Sequence, residues 1–578
     1  MEAKDMYLVD LIGKEDSIFY IPFYQRKYTW QPKVEIDQLW EDLMIFLDIN
    51  KEKNNNEYFL GTLIVKKSNE IRSKHTLVDG QQRVTTFLIL IAALIECSNK
   101  KRDINEYITL CNYINFNNDE AKFKLERIND SNVIQKILKN NIFALSDAEK
   151  SLNYYKVYEY FKKEINSKND LEDNFIKLFL SRCLNKIKIA LINLDDSEDE
   201  FLIFESINSK GKSLTQGDLI KNYIVSKLEN YPEFLRKFEN SFIGGFDKYS
   251  ENEQTFVQFY RQMLAIYDGN LYAFKSKKLY YKFKEMIEEK SKSFTDDNLI
   301  NVLEEINNDR IIFDYINYHS WDYKFYPLIK ANKYNFYSII HLILKYNGEI
   351  NDNKYIPKNN KLIEKAMMFL TKLSIARTLC SFGRVESNKN YAKIAHNLDK
   401  SMKETNDFWI SFNQEVINKI ENSNSNYRMP KWDEISDIEA KKDLYSEQKN
   451  NLKYILIAIE RYLNNDKKIS DENDLNIEHI LPQDLKEWQK AINNKITNNY
   501  DNWDEIYSWL HTLGNLSIIN KKDNSAISNK TFEEKQKILE ERSYLKINKF
   551  IYKHNEWTVE SIKKRANQIL EYIKEIWF

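Results

Sequence analysis

Asn476-Ile477-Glu478-His479-Ile480-Leu481-Pro482 and Leu513-Gly514-Asn515-Leu516-Ser517-Ile518-Ile519-Asn520 decide how the C-terminal part of the chain reads. Each has a short β-like run, and the second leads through Asn524 into a helical pattern carrying Phe532 and Ile538. The order is strand, turn, strand, helix. Polar residues stand where metal-assisted hydrolysis of a phosphodiester needs them. A Glu-His pair alone is a common surface feature; the second half gives it meaning. In this reading His479 takes a proton from the attacking water. Glu478 and Asn524 reach a divalent ion, and Asn515 hydrogen-bonds the backbone around His479 and holds the imidazole in its useful tautomer. Oxygen donors with one imidazole left over suit Mg²⁺ or Mn²⁺ better than structural Zn²⁺. His511 is a half-exposed loop residue or a second contact near the site. Lys521, Lys522 and Lys530 lie close enough in sequence to offer DNA phosphate contacts.

Working outward, the chain has 578 residues, 42% hydrophobic and 30% charged, with 11 Gly and 7 Pro. That length needs several cores, and so few turn-forming residues argue against an all-β protein. The expectation is a multidomain α+β protein, predominantly helical. Charge is balanced, with 86 Lys+Arg against 87 Asp+Glu, so DNA contact has to come from local patches. Four scattered cysteines without a CxxC pair fit a reducing compartment and exclude a zinc cluster built on adjacent thiolates. The start has no basic segment before an apolar core, and the longest apolar stretch, Val84 to Ile95, is too short to span a bilayer. A cytoplasmic protein without membrane contact is expected.

Ser17–Ile21, Tyr58–Lys67 and Ile71–Val78 read as strands, the last two as a hairpin joined near Ser68-Asn69-Glu70. Residues 96 to 460 read as helical nearly throughout, with capping-box spacing at Ser197–Glu200 and a similar start at Thr215–Asp218. Lys275, Lys277, Lys278, Lys282 and Lys284 surround Tyr280, Tyr281 and Phe283. That pattern fits a core stripe with a solvated face better than a nucleic-acid surface.

Three N-terminal motifs remain: Ile21–Trp30 with Gln25, Arg26 and Trp30; Leu77–Thr86 with Asp79, Gly80, Gln81, Gln82 and Arg83; and Phe204–Leu214 with Asn208. The second lies where a strand hands over to a helix, whose first-turn N–H groups favour an anion. Arg83 and Arg26 would add phosphate contacts, Asp79 a metal or water contact, and Tyr24, Tyr28 and Trp30 faces for a base. Together they read as a nucleotide pocket. Gly211-Lys212-Ser213 imitates the end of a phosphate-binding loop, but position 206 is Ser and the segment joins two helices, so a P-loop is rejected.

The C-terminal motifs resemble the ββα-metal (HNH) nucleases, in the variant reading Glu/Asp-His-Ile-x-Pro and then Gly-Asn-Leu, with Asn524 where many members have His. The N-terminal motifs, with Asp-Gly-Gln-Gln-Arg intact, resemble the ParB-like, sulfiredoxin-like domain of the GmrSD family. The resemblance implies residues 1–225 as a nucleotide-binding domain with a helical insertion and 445–578 as the nuclease; the residue pattern makes 226–444, which the resemblance leaves unassigned, a helical connector. The resemblance implies type IV restriction: an anti-phage endonuclease acting on modified phage DNA, with a nucleoside triphosphate hydrolysed in the N-terminal domain; because the two sites share one chain, regulation of cutting by the nucleotide is expected. Self-association is left open. Two other readings stand beside it: a nucleotide-binding DNA sensor that does not cut, and an RNA-directed nuclease toxin.

Overall fold

The computed structural model describes the chain except residues 1, 15–17, 23–24, 26–27, 53–55, 68–73, 99–103, 117–118, 124, 128–130, 140, 171–173, 196–202, 204–215, 229–230, 232, 235–252, 272–277, 292–295, 383–384, 426, 439–442, 468, 470–471, 485–502 and 528–529. The chain folds as two compact units, Met1–Asn240 and Ser241–Phe578.

The first unit is built on β1 (Glu2–Tyr7), β2 (Ile18–Ile21), β3 (Tyr58–Lys67), β4 (Lys74–Asp79), β7 (Leu125–Arg127) and β8 (Ile187–Leu194) in the order β1-β8-β3-β4-β2-β7. β5 (Asn115–Phe116) and β6 (Asp119–Phe123) form a separate two-stranded ladder. β3 and β4 pair antiparallel, with Lys67 opposite His75; their connection at 68–73 lies outside the described residues. β8 runs parallel to β3 and antiparallel to β1. This corrects the reading of 96–460 as helical nearly throughout. Ile187–Leu194 alternates buried and half-buried residues, a half-buried strand's period, and its partners come from the start of the chain.

Helices α1 (Asp37–Glu52), α2 (Gln81–Cys97) and α3 (Asn153–Asn169) pack around the sheet. The apolar run Val84–Ile95 is the middle of α2, buried on every side, as a helix without a polar face must be. Each side chain such as Phe87 or Leu88 that it removes from water contributes roughly 1.5–3 kcal/mol.

The second unit is mainly helical. Among its helices are α4 (Lys333–Asn347), α5 (Asn360–Leu379) and α6 (Leu444–Leu463). A hairpin of β9 (Gly348–Asn351) and β10 (Lys354–Pro357) turns through Asp352 and Asn353, both at positive φ, as a two-residue hairpin loop demands. Tyr280 and Phe283 are buried while Tyr281 is exposed and Lys282 pairs with Glu285, so Lys278–Lys290 is a core stripe with a solvated face; Lys275 and Lys277 lie outside the described residues. β11 (Leu475–His479) pairs antiparallel with β12 (Leu516–Asn520), followed by α7 (Lys521–Ile527), α8 (Phe532–Arg542) and α9 (Val559–Trp577). One core joins Ile375 and Leu379 of α5, Leu452 and Ile455 of α6, and Leu475, Leu516 and Ile569. The helical region thus packs directly on the β11–β12 hairpin. Among the described residues no helix is long and apolar enough to cross a membrane.

Candidate functional site

In the first unit β4 ends at Asp79 and α2 begins at Gln81, with Gly80 between them at φ +93. That backbone suits glycine, and a Cβ there would meet Leu63 Cδ2 at 2.1 Å. The helix starts without a side-chain cap, so its first-turn N–H groups have no intrahelical acceptor. Arg83 folds back over this turn. Its Nη1 donates to the Thr62 carbonyl at 2.7 Å and its Nη2 stands 3.3 Å from Asp79 Oδ2. Glycine at position 61 leaves room for it; a Cβ would meet Arg83 Nη1 at 2.5 Å.

Gln25, Tyr28 and Thr29 are tied to the same place. Gln25, buried, donates through Nε2 to the carbonyls of Leu77 and Val78. The Thr29 amide donates to Gln82 Oε1 at 2.9 Å, and Tyr28 hydrogen-bonds Thr86 at 2.6 Å. Gln25, Asp79, Gly80, Gln81, Gln82 and Arg83 are therefore brought together, with Trp30 half-buried against the core. The expected roles change in detail. The Gln25 and Gln82 amides hold the segment in place, Asp79 and Arg83 pair with each other, and Tyr28 stacks on Tyr154 in the core at 5.0 Å, with no free face for a base. Burial pushes the Tyr28 phenol up, so it stays protonated. Gln81 Oε1 is buried with no hydrogen-bond partner among the described residues. An orphaned acceptor beside an uncapped helix start and a guanidinium fits a ligand carrying both a phosphate and an N–H or O–H donor. Arg26, Tyr24, Asn208 and the motif Phe204–Leu214 lie outside the described residues.

In the second unit the β11–β12 register sets Glu478 opposite Ser517 and His479 opposite Leu516. Alternation sends the two side chains to opposite faces. His479, 6% exposed, places Nε2 3.0 Å from His511 Nδ1, and Tyr445 closes over both rings, edge-on to His479 and stacked on His511. Burial, helped by His511, Lys535 and Lys449, pushes the His479 imidazole down to about 3, so it is neutral at ordinary pH.

Asn515 is fully buried and uses its whole side chain. Oδ1 accepts from the Leu481 amide at 2.7 Å and from Trp557 Nε1 at 3.0 Å. Nδ2 donates to the carbonyls of Leu481 at 3.0 Å and Leu510 at 2.8 Å. It thus binds the backbone two residues beyond His479 to the loop carrying His511. The preceding Gly514 is required by space, since a Cβ would meet the Ile562 carbonyl of α9 at 2.0 Å. Arg565, also on α9 and buried, donates to the carbonyls of Gly514 at 2.9 Å and Leu516 at 2.5 Å and to Ser517 Oγ. Burial pushes its guanidinium down to about 9, which still leaves it charged at neutral pH.

Glu478 faces Lys535. This lysine, 0% exposed on α8, stands 2.8 Å from Glu478 Oε1 and donates to the His479 carbonyl at 2.7 Å. Burial drives the carboxyl up and the ammonium down, and their mutual attraction offsets part of each shift. Among the described residues no group of three His, Cys, Asp or Glu side chains could hold a metal. Asn524 lies on α7, but its side chain is outside the described residues. Of the expected donor pair, the described member, Glu478, is taken by an ammonium and does not fit as a ligand of the divalent ion expected there. Lys521 and Lys522 are exposed at the start of α7, Lys521 near Asp474 at 3.4 Å, and Lys530 is exposed beyond its end. Sequence reasoning missed Lys535, Arg565 and Trp557. A capping box at Thr531 and Glu534 marks the helix of Lys535, but nothing local marks the lysine.

Residues 8–225 match the model of the GmrSD restriction endonuclease N-terminal domain, and residues 429–572 that of the GmrSD restriction endonuclease C-terminal domain. No curated protein matches the chain. With both matches on one polypeptide, and the two clusters just described falling inside them, the chain belongs to the GmrSD family of restriction endonucleases.

Proposed function

We propose that this restriction endonuclease cuts DNA at the β11–β12 hairpin in an HNH-type site, with His479 as the base that takes the proton of the attacking water. The observation carrying this reading is a buried imidazole fixed on two sides, by His511 on its ring and by Asn515 through the backbone that follows it. Asn515 acts as a positioning residue. Lys521, Lys522 and Lys530 are offered as phosphate contacts near the same helix. Dependence on Mg²⁺ or Mn²⁺ belongs to the proposal through the nuclease resemblance, and the ion's chemistry when bound is stabilisation of phosphate charge.

The N-terminal domain is proposed to bind, and hydrolyse, a nucleoside triphosphate at the start of α2. Arg83 and the first-turn amides would receive phosphate, and Gln81 Oε1 a donor of the ligand. Asp79 would orient water, with Gln25, Gly80 and Gln82 shaping the pocket and Arg26, Trp30 and Asn208 adding contacts from their motifs. Nucleotide state is proposed to control cutting, and modified phage DNA is the proposed substrate. The test compares cutting of modified and unmodified phage DNA, each with and without nucleoside triphosphate, in Mg²⁺, Mn²⁺ or EDTA. The expected result is metal-dependent cutting that prefers modified DNA and responds to nucleotide. Equal cutting of both DNAs removes the specificity, indifference to nucleotide removes the coupling, and binding without cutting hands the function to a DNA sensor.

A further inference from the structure

The C-terminal site already contains a cation. Lys535 is fully buried, and its ammonium reaches two groups of one strand end: the Glu478 carboxylate at 2.8 Å and the His479 carbonyl at 2.7 Å. Its helix is fixed by the Thr531–Glu534 capping box and by Phe532 in the core. Glu478 is itself 9% exposed, so solvent does little to screen the pair. A divalent ion binding Glu478 would either share one carboxylate with a buried ammonium, two cations repelling at contact distance, or push the ammonium off and leave it buried without a counter-charge. Strand alternation adds a second obstacle, because Glu478 lies on the face of Lys535 and His479 on the face of His511 and Tyr445.

We infer that Lys535 is the resident counter-charge of Glu478, a positioning residue that fixes the strand end carrying His479, and that Glu478 is therefore not a ligand of the divalent ion. An ion that serves cutting is held by groups other than Glu478. The inference deepens the nuclease reading and rests on it for its importance, but its test uses no DNA, so the two fail separately.

The experiment is a Mn²⁺ titration of the full chain followed by electron paramagnetic resonance, with folding checked by circular dichroism. The variants are Glu478→Gln, Lys535→Arg, Lys535→Met and the double variant Lys535→Met/Glu478→Gln. Glu478→Gln keeps the shape and an acceptor for Lys535, and it binds Mn²⁺ within about threefold of wild type, whatever that affinity is. Lys535→Met frees the carboxylate and binds Mn²⁺ about tenfold tighter or more. The double variant loses that gain, and Lys535→Arg, which keeps the charge, behaves as wild type. A purely structural lysine would not raise metal affinity when removed. Loss of more than about threefold in Glu478→Gln overturns the inference, and so does a folded Lys535→Met that gains nothing. Should Lys535→Met not fold, the Glu478→Gln comparison alone decides.

Discussion

Replacing Asn515 by Ala removes four hydrogen bonds from a side chain with no exposed surface. Two donors, the Leu481 amide and Trp557 Nε1, and two acceptors, the carbonyls of Leu481 and Leu510, lose this partner at once. Leaving a buried polar group unsatisfied costs about 1–3 kcal/mol, so four such losses bound the effect between about 4 and 12 kcal/mol. Relaxation and entering water move the expectation to the lower end, about 4 kcal/mol. Asn515→Asp sharpens the test, because it preserves shape and the two bonds to Oδ1. It sets a carboxylate oxygen against two carbonyls where the amide donated, so at neutral pH it destabilises at least as much as Ala. Hydrogen exchange read by mass spectrometry on peptides covering 475–484 and 510–520 measures the loss locally, without requiring the two units to unfold together. A loss under about 1 kcal/mol in both variants would show that Asn515 does not hold the hairpin, and the positioning role assigned to it would be wrong.

Other consequences are as specific. The depressed His479 imidazole means that, as pH falls from its ordinary value of 6.5 toward about 3, the unfolded chain takes up a proton that the folded chain refuses. Stability from this group is complete above that window and declines within it; relative to His479→Gln, wild type loses about 1.4 kcal/mol between pH 7.5 and 5.5 in urea unfolding. No such difference would mean the ring is solvated. Gly514→Ala drives a methyl into the Ile562 carbonyl and is expected to cost about 3 kcal/mol or prevent folding of the second unit, as a thermal melt would read. In the first unit Arg83→Ala is expected to weaken nucleotide binding about tenfold, and Gly61→Ala, whose Cβ would strike Arg83 Nη1, to do the same by dislodging the guanidinium. Calorimetric titration with a nucleoside triphosphate checks both, and wild-type affinity in both would remove Arg83 from the pocket.

What could be read in the sequence follows how local each signal is. The hairpin β3–β4 announces itself by alternation within a short stretch, and the Asp-Gly-Gln-Gln-Arg turn by a glycine where a strand becomes a helix. β8 does not: Ile187–Leu194 follows helices without a turn signal, and it becomes a strand because Glu2–Tyr7 and Tyr58–Lys66 pair with it. Its isoleucines suit a strand, but its partners lie far away in the chain and no turn beside it marks the pairing. At the C-terminal site the two short runs around His479 and Asn515 carried the motif, whereas Lys535 lies 57 residues from Glu478 and is one lysine among many until α8 packs on the hairpin. Gly514 was legible as part of Gly-Asn-Leu, but its reason, the backbone of α9 pressed against it, was not.

The central claim, that His479 performs the cutting, meets its most direct test in a single-turnover cleavage assay of wild type and His479→Ala at matched DNA occupancy. The account predicts that the variant binds DNA as wild type does and cuts at least about a hundredfold more slowly, the loss expected of a missing general base. Equal cutting rates at equal occupancy would contradict it and move the chemistry away from the β11–β12 hairpin.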